Sequence, residues 1–177
     1  VVEGDDPARL PRATKNATEL AGSIQAHLQD GAAMVEFLHW LDSQDAETLT
    51  EIDAVKALEA ARARVGERMQ NPLRDISFDT ISGAGENAAI IHYRVTHETN
   101  RRFRKGELFL ADSGAQYVNG TTDITRTVAI GEVPDEPKRF FTLVLKGMIA
   151  ISTARFPKGT RGVDLDVFVP QSVNVLN

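Results

Sequence analysis

Leu20, Ile24 and Leu28, followed by Met34, Val35, Leu38 and Leu41, recur at three- and four-residue steps, the spacing of an amphipathic helix. Gly31 interrupts the pattern at a cost of about 1 kcal/mol against alanine, and reads as a break or a tight helix contact. Thr50, placed before Glu51 and Asp53, predicts the start of a second helix carrying Ile52, Val55, Leu58 and Val65. All these apolar positions are expected to face a core. At Asn71-Pro72 the period changes. Phe78 and Ile81, then Ala88 to Ile91, read as extended segments joined by a loop over residues 82–85, with His92 continuing the second segment. Arg101 to Lys105 reads as a solvated basic turn. Glu107 to Asp112 reads as a buried strand ending in a carboxylate. Asn119-Gly120 marks a hairpin turn, with a return strand over Thr121 to Ile130. A last helix is predicted from Lys138 to about Arg155, displaying Phe141, Val144, Leu145, Met148, Ile149 and Ile151, and ended by Phe156-Pro157-Lys158-Gly159. This order gives an α+β fold, an antiparallel sheet with helices on one face, and lacks the regular alternation of a doubly wound parallel sheet.

Composition narrows the function. The 177 residues hold 20 Lys+Arg against 25 Asp+Glu, a net charge of -5, with 42% hydrophobic residues and no cysteine. That is an ordinary globular balance. Without a basic excess to neutralise phosphates, a nucleic-acid partner is not expected. No apolar run is long enough to suggest a membrane partner. Disulfides, thiolate metal sites and a cysteine nucleophile are excluded, in keeping with a cytosolic setting. The opening VVEGDDPARL does not read as a secretory leader.

Asp112 ends an apolar strand and Asp123 lies in the return strand. Carboxylates among apolar neighbours are costly unless hydrogen-bonded, paired or bound to a cation. Hard oxygen donors suit Mn²⁺, Mg²⁺ or Zn²⁺, and a two-metal site needs bridging carboxylates. A two-residue turn at Asn119-Gly120 sets Asp123 opposite Gln116, on the same face as Asp112. In that register the two are four residues apart, roughly 13 Å along a strand. A bend or bulge at Gly114 is needed to close the gap. Two hydrogen-bonded structural aspartates, or an Asp-Arg pair through Arg126, are the alternatives. His92 reads as a metal ligand, an acid-base group, a substrate contact or a hydrogen-bonded core histidine. Gly83 and Gly85 lack the companions of a nucleotide-binding loop, and no serine stands in a nucleophile elbow.

Three blocks carry a resemblance: Asn87-Ala88-Ala89-Ile90-Ile91-His92-Tyr93, Asp112-Ser113-Gly114-Ala115-Gln116-Tyr117, and Gly120-Thr121-Thr122-Asp123-Ile124-Thr125-Arg126-Thr127. Together they resemble the aminopeptidase P (Xaa-Pro aminopeptidase) family, which has the pita-bread fold. Leu145-Lys146-Gly147 and Phe156-Pro157-Lys158-Gly159-Thr160 resemble the helix and turn that follow, and Asn119 stands where the family often has Asp. The resemblance runs from about Leu10 to about Asp166. Residues 1–11, polar and marked by proline, read as a linker or entry segment, and the resemblance implies 12–166 as the N-terminal half of a pita-bread catalytic domain and 167–177 as an off-pattern tail. It implies two divalent metal ions, Mn²⁺ with Zn²⁺ or Co²⁺ also compatible, with Asp112 and Asp123 among five ligands and His92 as the catalytic residue contacting substrate. The implied substrate is a peptide with proline at the second position, from which the first residue is removed. The family's other ligands, one His and two Glu, fall downstream of Asp123, whereas this sequence has no His after His97 and no Glu after Glu136. Little or no activity is therefore expected of these residues alone. Self-association into a homo-oligomer is expected through the apolar surface left uncovered. The alternative is a non-catalytic pita-bread relative that binds a peptide or protein.

Overall fold

The computed structural model describes Gly4 and residues 6–166, so the off-pattern tail at 167–177 lies outside the described residues. The contacts divide the chain into two compact units, residues 1–131 and 132–177.

In the first unit, a short helix α1 (Arg9–Ala13) lies at the end of the segment read as linker. Helix α2 (Ala17–Ser43) begins at a capping box, in which Asn16 accepts from the Glu19 amide and Glu19 from the Asn16 amide. It runs unbroken through Gly31, where an added Cβ would meet nothing within 4 Å. That glycine is therefore neither a break nor a tight contact. Helix α3 (Glu51–Arg68) starts where the sequence predicts, at a second capping box formed by Thr50 and Asp53.

Six short strands follow: β1 (Asp75–Ile76), β2 (Ile81–Ala84), β3 (Leu108–Ser113), β4 (Ala115–Tyr117), β5 (Gly120–Thr121) and β6 (Ile124–Ala129). They form two antiparallel three-stranded sheets, in the orders β2-β3-β6 and β1-β4-β5. The expected loop at residues 82–85 is instead mostly strand β2. The expected extended segment at residues 88–91 is a 3₁₀ turn over Gly85–Ala89 followed by a bend.

Helices α2 and α3 bury Ala33, Met34, Phe37, Leu41, Ala54, Leu58, Ala61 and Val65 against Phe109 and Ala111 of β3, with Phe103 and Ile130. Phe103 and Phe109 pack with tilted rings, 4.7 Å between centroids. The basic run 101–105 therefore hides a core aromatic. The stripe expected to face the core of α2 needs correction as well. Leu20, Ile24, Leu28 and Val35 are 53–66% exposed, and the buried face is Ala26, Gln29, Asp30, Ala33, Met34, Phe37 and Leu41. The N-terminal half of α2 thus turns small and polar residues inward.

The second unit contains α4 (Asp135–Thr153) and α5 (Gly162–Leu165). In α4, Leu143 and Gly147 are buried, while Phe141, Val144, Leu145, Met148 and Ile149 are exposed.

Candidate metal centre

The hairpin holding the two aspartates has its turn one residue earlier than Asn119-Gly120 suggests. Tyr117 pairs with Gly120 and Gln116 with Thr121, leaving Val118-Asn119 as the loop. Gly120 serves a different purpose: a Cβ there would stand 2.9 Å from the Ala26 Cβ, so its glycine lets the hairpin lie close against α2. The change of turn moves the register by two. Asp112 pairs with Thr125 and Ser113 with Ile124. Asp123 is not in the return strand as expected but between β5 and β6; carried one pair beyond Ser113 and Ile124, the register sets it opposite Gly114 rather than Gln116. Asp112 and Asp123 are then diagonal neighbours on one face, a relation that spans roughly 7–8 Å between backbones and less between side chains. The bend expected at Gly114 is present: Gly114 and Thr122-Asp123 belong to no strand, and the Ala115 amide donates to Thr122 Oγ1 while the Thr122 carbonyl turns to Ser77.

Gly114 is where the hairpin passes from one sheet to the other. The Ser77 amide donates to the Gly114 carbonyl at 3.1 Å, and Ser77 Oγ donates to the Thr122 carbonyl at 2.9 Å. A Cβ at residue 114 would lie 2.0 Å from the Thr122 oxygen and 2.1 Å from Ser77 Oγ.

Asp112 is half-buried and Asp123 exposed. Asp112 Oδ1 accepts from Thr125 Oγ1 at 2.8 Å. Among the described residues, neither aspartate takes part in an ion pair. Arg126 donates to the Thr125 carbonyl instead, so the Asp-Arg126 alternative is not formed. Oxygen donors on one face without a cationic partner match a hard divalent ion in chemistry. No group of three or more potential His, Asp or Glu ligands occurs among the described residues.

The inward face of the same hairpin is occupied by a polar cluster. Asp30 of α2 and Arg62 of α3 form a fully buried pair, with Arg62 Nε 2.6 Å from Asp30 Oδ1 and Nη2 3.0 Å from Oδ2. Arg62 Nη2 also donates to Ser113 Oγ at 3.0 Å. Thr122 Oγ1 donates to Asp30 Oδ2 at 2.7 Å and accepts from the Ala115 amide at 3.0 Å, and the Tyr117 hydroxyl donates to Asp30 Oδ1 at 3.2 Å. Burial, reinforced by the Asp30 charge, pushes the Tyr117 phenol up to about 12. The folded state therefore keeps a proton that the unfolded chain releases near pH 10. The stability this provides is complete below about pH 10 and lost as pH rises towards 12, up to roughly 2–3 kcal/mol. The stability gap between the native chain and Tyr117→Phe should narrow by about 1.4 kcal/mol from about pH 9 to about pH 11, measured by urea unfolding. A constant gap would contradict the assignment.

His92 is not on a strand. It is exposed and takes a left-handed φ of +55° as the third residue of a turn closed by the Tyr93 amide on the Ile90 carbonyl at 3.1 Å. Positive φ at that position is the mark of a type II turn, which usually places glycine there, and is uncommon for any other residue. His92 forms no hydrogen bond or ion pair with Asp112 or Asp123. Its loop is tied down by Glu51, a fully buried carboxylate that accepts from the Ala84 amide (2.8 Å), Asn87 Nδ2 (2.9 Å), Tyr93 Oη (3.0 Å) and the Arg101 amide (3.2 Å). Sequence reasoning gave Glu51 only a helix-start role and missed Asp30 and Arg62. The available signal was their inward position: Asp30 stands four residues after Ala26 and three before Ala33, and Arg62 stands four after Leu58 and three before Val65.

Comparison with known proteins places this hairpin in a family. The chain is 43% identical over 174 residues to a probable Xaa-Pro aminopeptidase P of Aspergillus clavatus, covering 97% of this chain and 26% of that protein. It is 42% identical to the corresponding protein of Paracoccidioides lutzii, over 97% of this chain and 27% of that protein. It thus spans about a quarter of the length of these relatives. Among solved structures, the X-prolyl aminopeptidase of Caenorhabditis elegans, described as a cytosolic enzyme with a di-nuclear active site, matches with a TM-score of 0.85 and 38% identity, over 97% of this chain and 28% of that one. The X-Pro aminopeptidase of Thermotoga maritima matches with a TM-score of 0.80 and 27% identity, over 97% of this chain and 45% of that one. The α+β architecture is accordingly the pita-bread aminopeptidase fold. The sequence profile of metallopeptidase family M24 matches residues 22–174, and the chain belongs to that family.

Proposed function

We propose that this chain is the portion of a metal-dependent aminopeptidase that supplies Asp112 and Asp123 to a pair of divalent ions, in an enzyme that removes an N-terminal residue preceding proline. The observation that carries the reading is the pair itself: two carboxylates on one face of an M24 hairpin, neither neutralised by a side-chain cation. Bound there, the ions would polarise the scissile carbonyl and lower the pKa of the attacking water. The chain's own part is to present hard oxygen donors from a hairpin fixed on its inward face, and to hold the His92 imidazole out on an anchored turn where a peptide substrate can reach it. Mn²⁺ is the proposed metal, with Zn²⁺ or Co²⁺ as alternatives, and a cytoplasmic location belongs to the same proposal. The exposed α2 stripe supports self-association of the isolated chain.

The test compares this chain with one lengthened at its C-terminus to the extent of its relatives, each with Mn²⁺ and an Arg-Pro-Pro peptide. The 177-residue chain should show little or no hydrolysis, because its described residues supply two carboxylates only. The longer chain should be active, and Asp112→Asn or Asp123→Asn in it should lower kcat/KM by about a hundredfold or more. Undiminished activity in both variants would refute the reading, as would full activity of the short chain.

A further inference from the structure

The two aspartates stand next to the two hydroxyl residues that the buried pair holds. Ser113 follows Asp112, and Thr122 precedes Asp123. Asp112 and Ser113 are neighbours on β3 and point to opposite faces, while Thr122 and Asp123, between β5 and β6, differ in the same sense by burial. Ser113 and Thr122 are 0% and 1% exposed, while Asp112 and Asp123 emerge on the other side. One guanidinium nitrogen, Arg62 Nη2, bonds Asp30 and Ser113 together, and Asp30 Oδ2 receives Thr122. A single helix-borne ion pair therefore grips both strands at the residues flanking the carboxylates, on either side of the crossing at Gly114. We infer that the Asp30–Arg62 pair, acting through Ser113 and Thr122, is a positioning device that sets how far apart and in what direction the Asp112 and Asp123 carboxylates project.

A core built only for stability would not need it. Two charges are removed from water at considerable cost, and Arg62 Nη1 is buried without a hydrogen-bond partner. What the arrangement provides is direction. Ion-pair geometry and hydrogen bonds fix hydroxyl positions that apolar packing would leave free to slide, and partners behind a metal's ligands commonly change affinity by about 10–100-fold when removed.

The inference rests on the reading of Asp112 and Asp123 as ligands, and its test separates the two. The probe is Mn²⁺ alone, titrated into the 177-residue chain, with broadening of the backbone amide resonances of residues 112 and 123 as readout and urea unfolding measured alongside. Thr122→Val keeps the side-chain shape and removes the hydroxyl. It should weaken Mn²⁺ binding by about tenfold or more, while Thr122→Ser, which restores the hydroxyl, should return it to within about threefold. Leu41→Ala, in the core at the far end of α2, should lower stability and leave the affinity unchanged. Ser113→Ala tests the other strand and carries the question if Thr122→Val does not fold. Native affinity in Thr122→Val or in Ser113→Ala would overturn the inference, as would equal loss in Leu41→Ala. Broadening unaffected by Asp112→Asn, or no broadening at residues 112 and 123 in either the unaltered chain or the C-terminally lengthened one, would instead remove the metal reading and the inference with it.

Discussion

Gly114→Ala should destabilise the first unit by about 3 kcal/mol or more, at the upper end of what added bulk in a packed site costs. The added methyl would lie 2.0 Å from the Thr122 carbonyl oxygen. Ser77 can rotate its hydroxyl away, but the Thr122 oxygen is backbone, so the strands must part. Parting them breaks the bond from Ser77 to Thr122 and strains the one from the Ala115 amide to Thr122 Oγ1. The effect should fall on Asp123 as well, because it follows the displaced Thr122 directly. Gly31→Ala is the natural counterpart. Its new methyl would meet nothing within 4 Å, inside a continuous helix, so it should stabilise by up to about 1 kcal/mol. Urea unfolding followed by the fluorescence of Trp40, the single tryptophan, which stacks on Phe37, would read both. A Gly114→Ala midpoint indistinguishable from the native one would show that the hairpin crosses between sheets more loosely than the contacts indicate.

The opposite signs expected at these two glycines show what the sequence could and could not say. A glycine's presence is visible, but the atom opposite it is not. Asn119-Gly120 looks like a turn by local preference, yet Gly120 is required by the nearness of Ala26 on a helix more than ninety residues earlier in the chain. The turn falls at Val118-Asn119 instead, and the register that goes with it brings Asp112 and Asp123 nearer than the roughly 13 Å the local signal implied. The α2 stripe failed for a related reason. Leu20, Ile24 and Leu28 have helical period, and period gives a helix without telling which way it faces. The inward side is marked by Ala26, Asp30 and Ala33, and its polar members only make sense beside Arg62, Ser113 and Thr122. Thr50 as a helix start and β3 as a buried strand were legible because both depend on neighbours in sequence. The anchoring of His92 was not, since the Glu51 carboxylate reaches it across forty-two residues through Tyr93.

The polar cluster also makes a thermodynamic prediction in which pair and parts behave differently. Asp30→Ala leaves the Arg62 guanidinium buried with only Ser113 as a partner, and takes the acceptor from Tyr117 and Thr122. Removing one member of a buried pair typically costs about 3–5 kcal/mol, most of it from the charge left behind. Arg62→Met should be destabilising too, by less, because the Asp30 carboxylate retains two hydroxyl donors. The double variant Asp30→Leu/Arg62→Met removes both charges and fills the space with apolar groups. Since Arg62 Nη1 already lacks a partner, the native pair is incompletely compensated, and the double variant should recover to within about 1–2 kcal/mol of the native chain or exceed it. A four-protein unfolding cycle measures this, and a double variant as unstable as Asp30→Ala would show that the pair contributes net stability after all. If the pair is retained for geometry, the recovered double variant should still bind Mn²⁺ poorly. Stability would return while the hydroxyls of Ser113 and Thr122, freed from their common anchor, no longer hold the carboxylates on the far face in register.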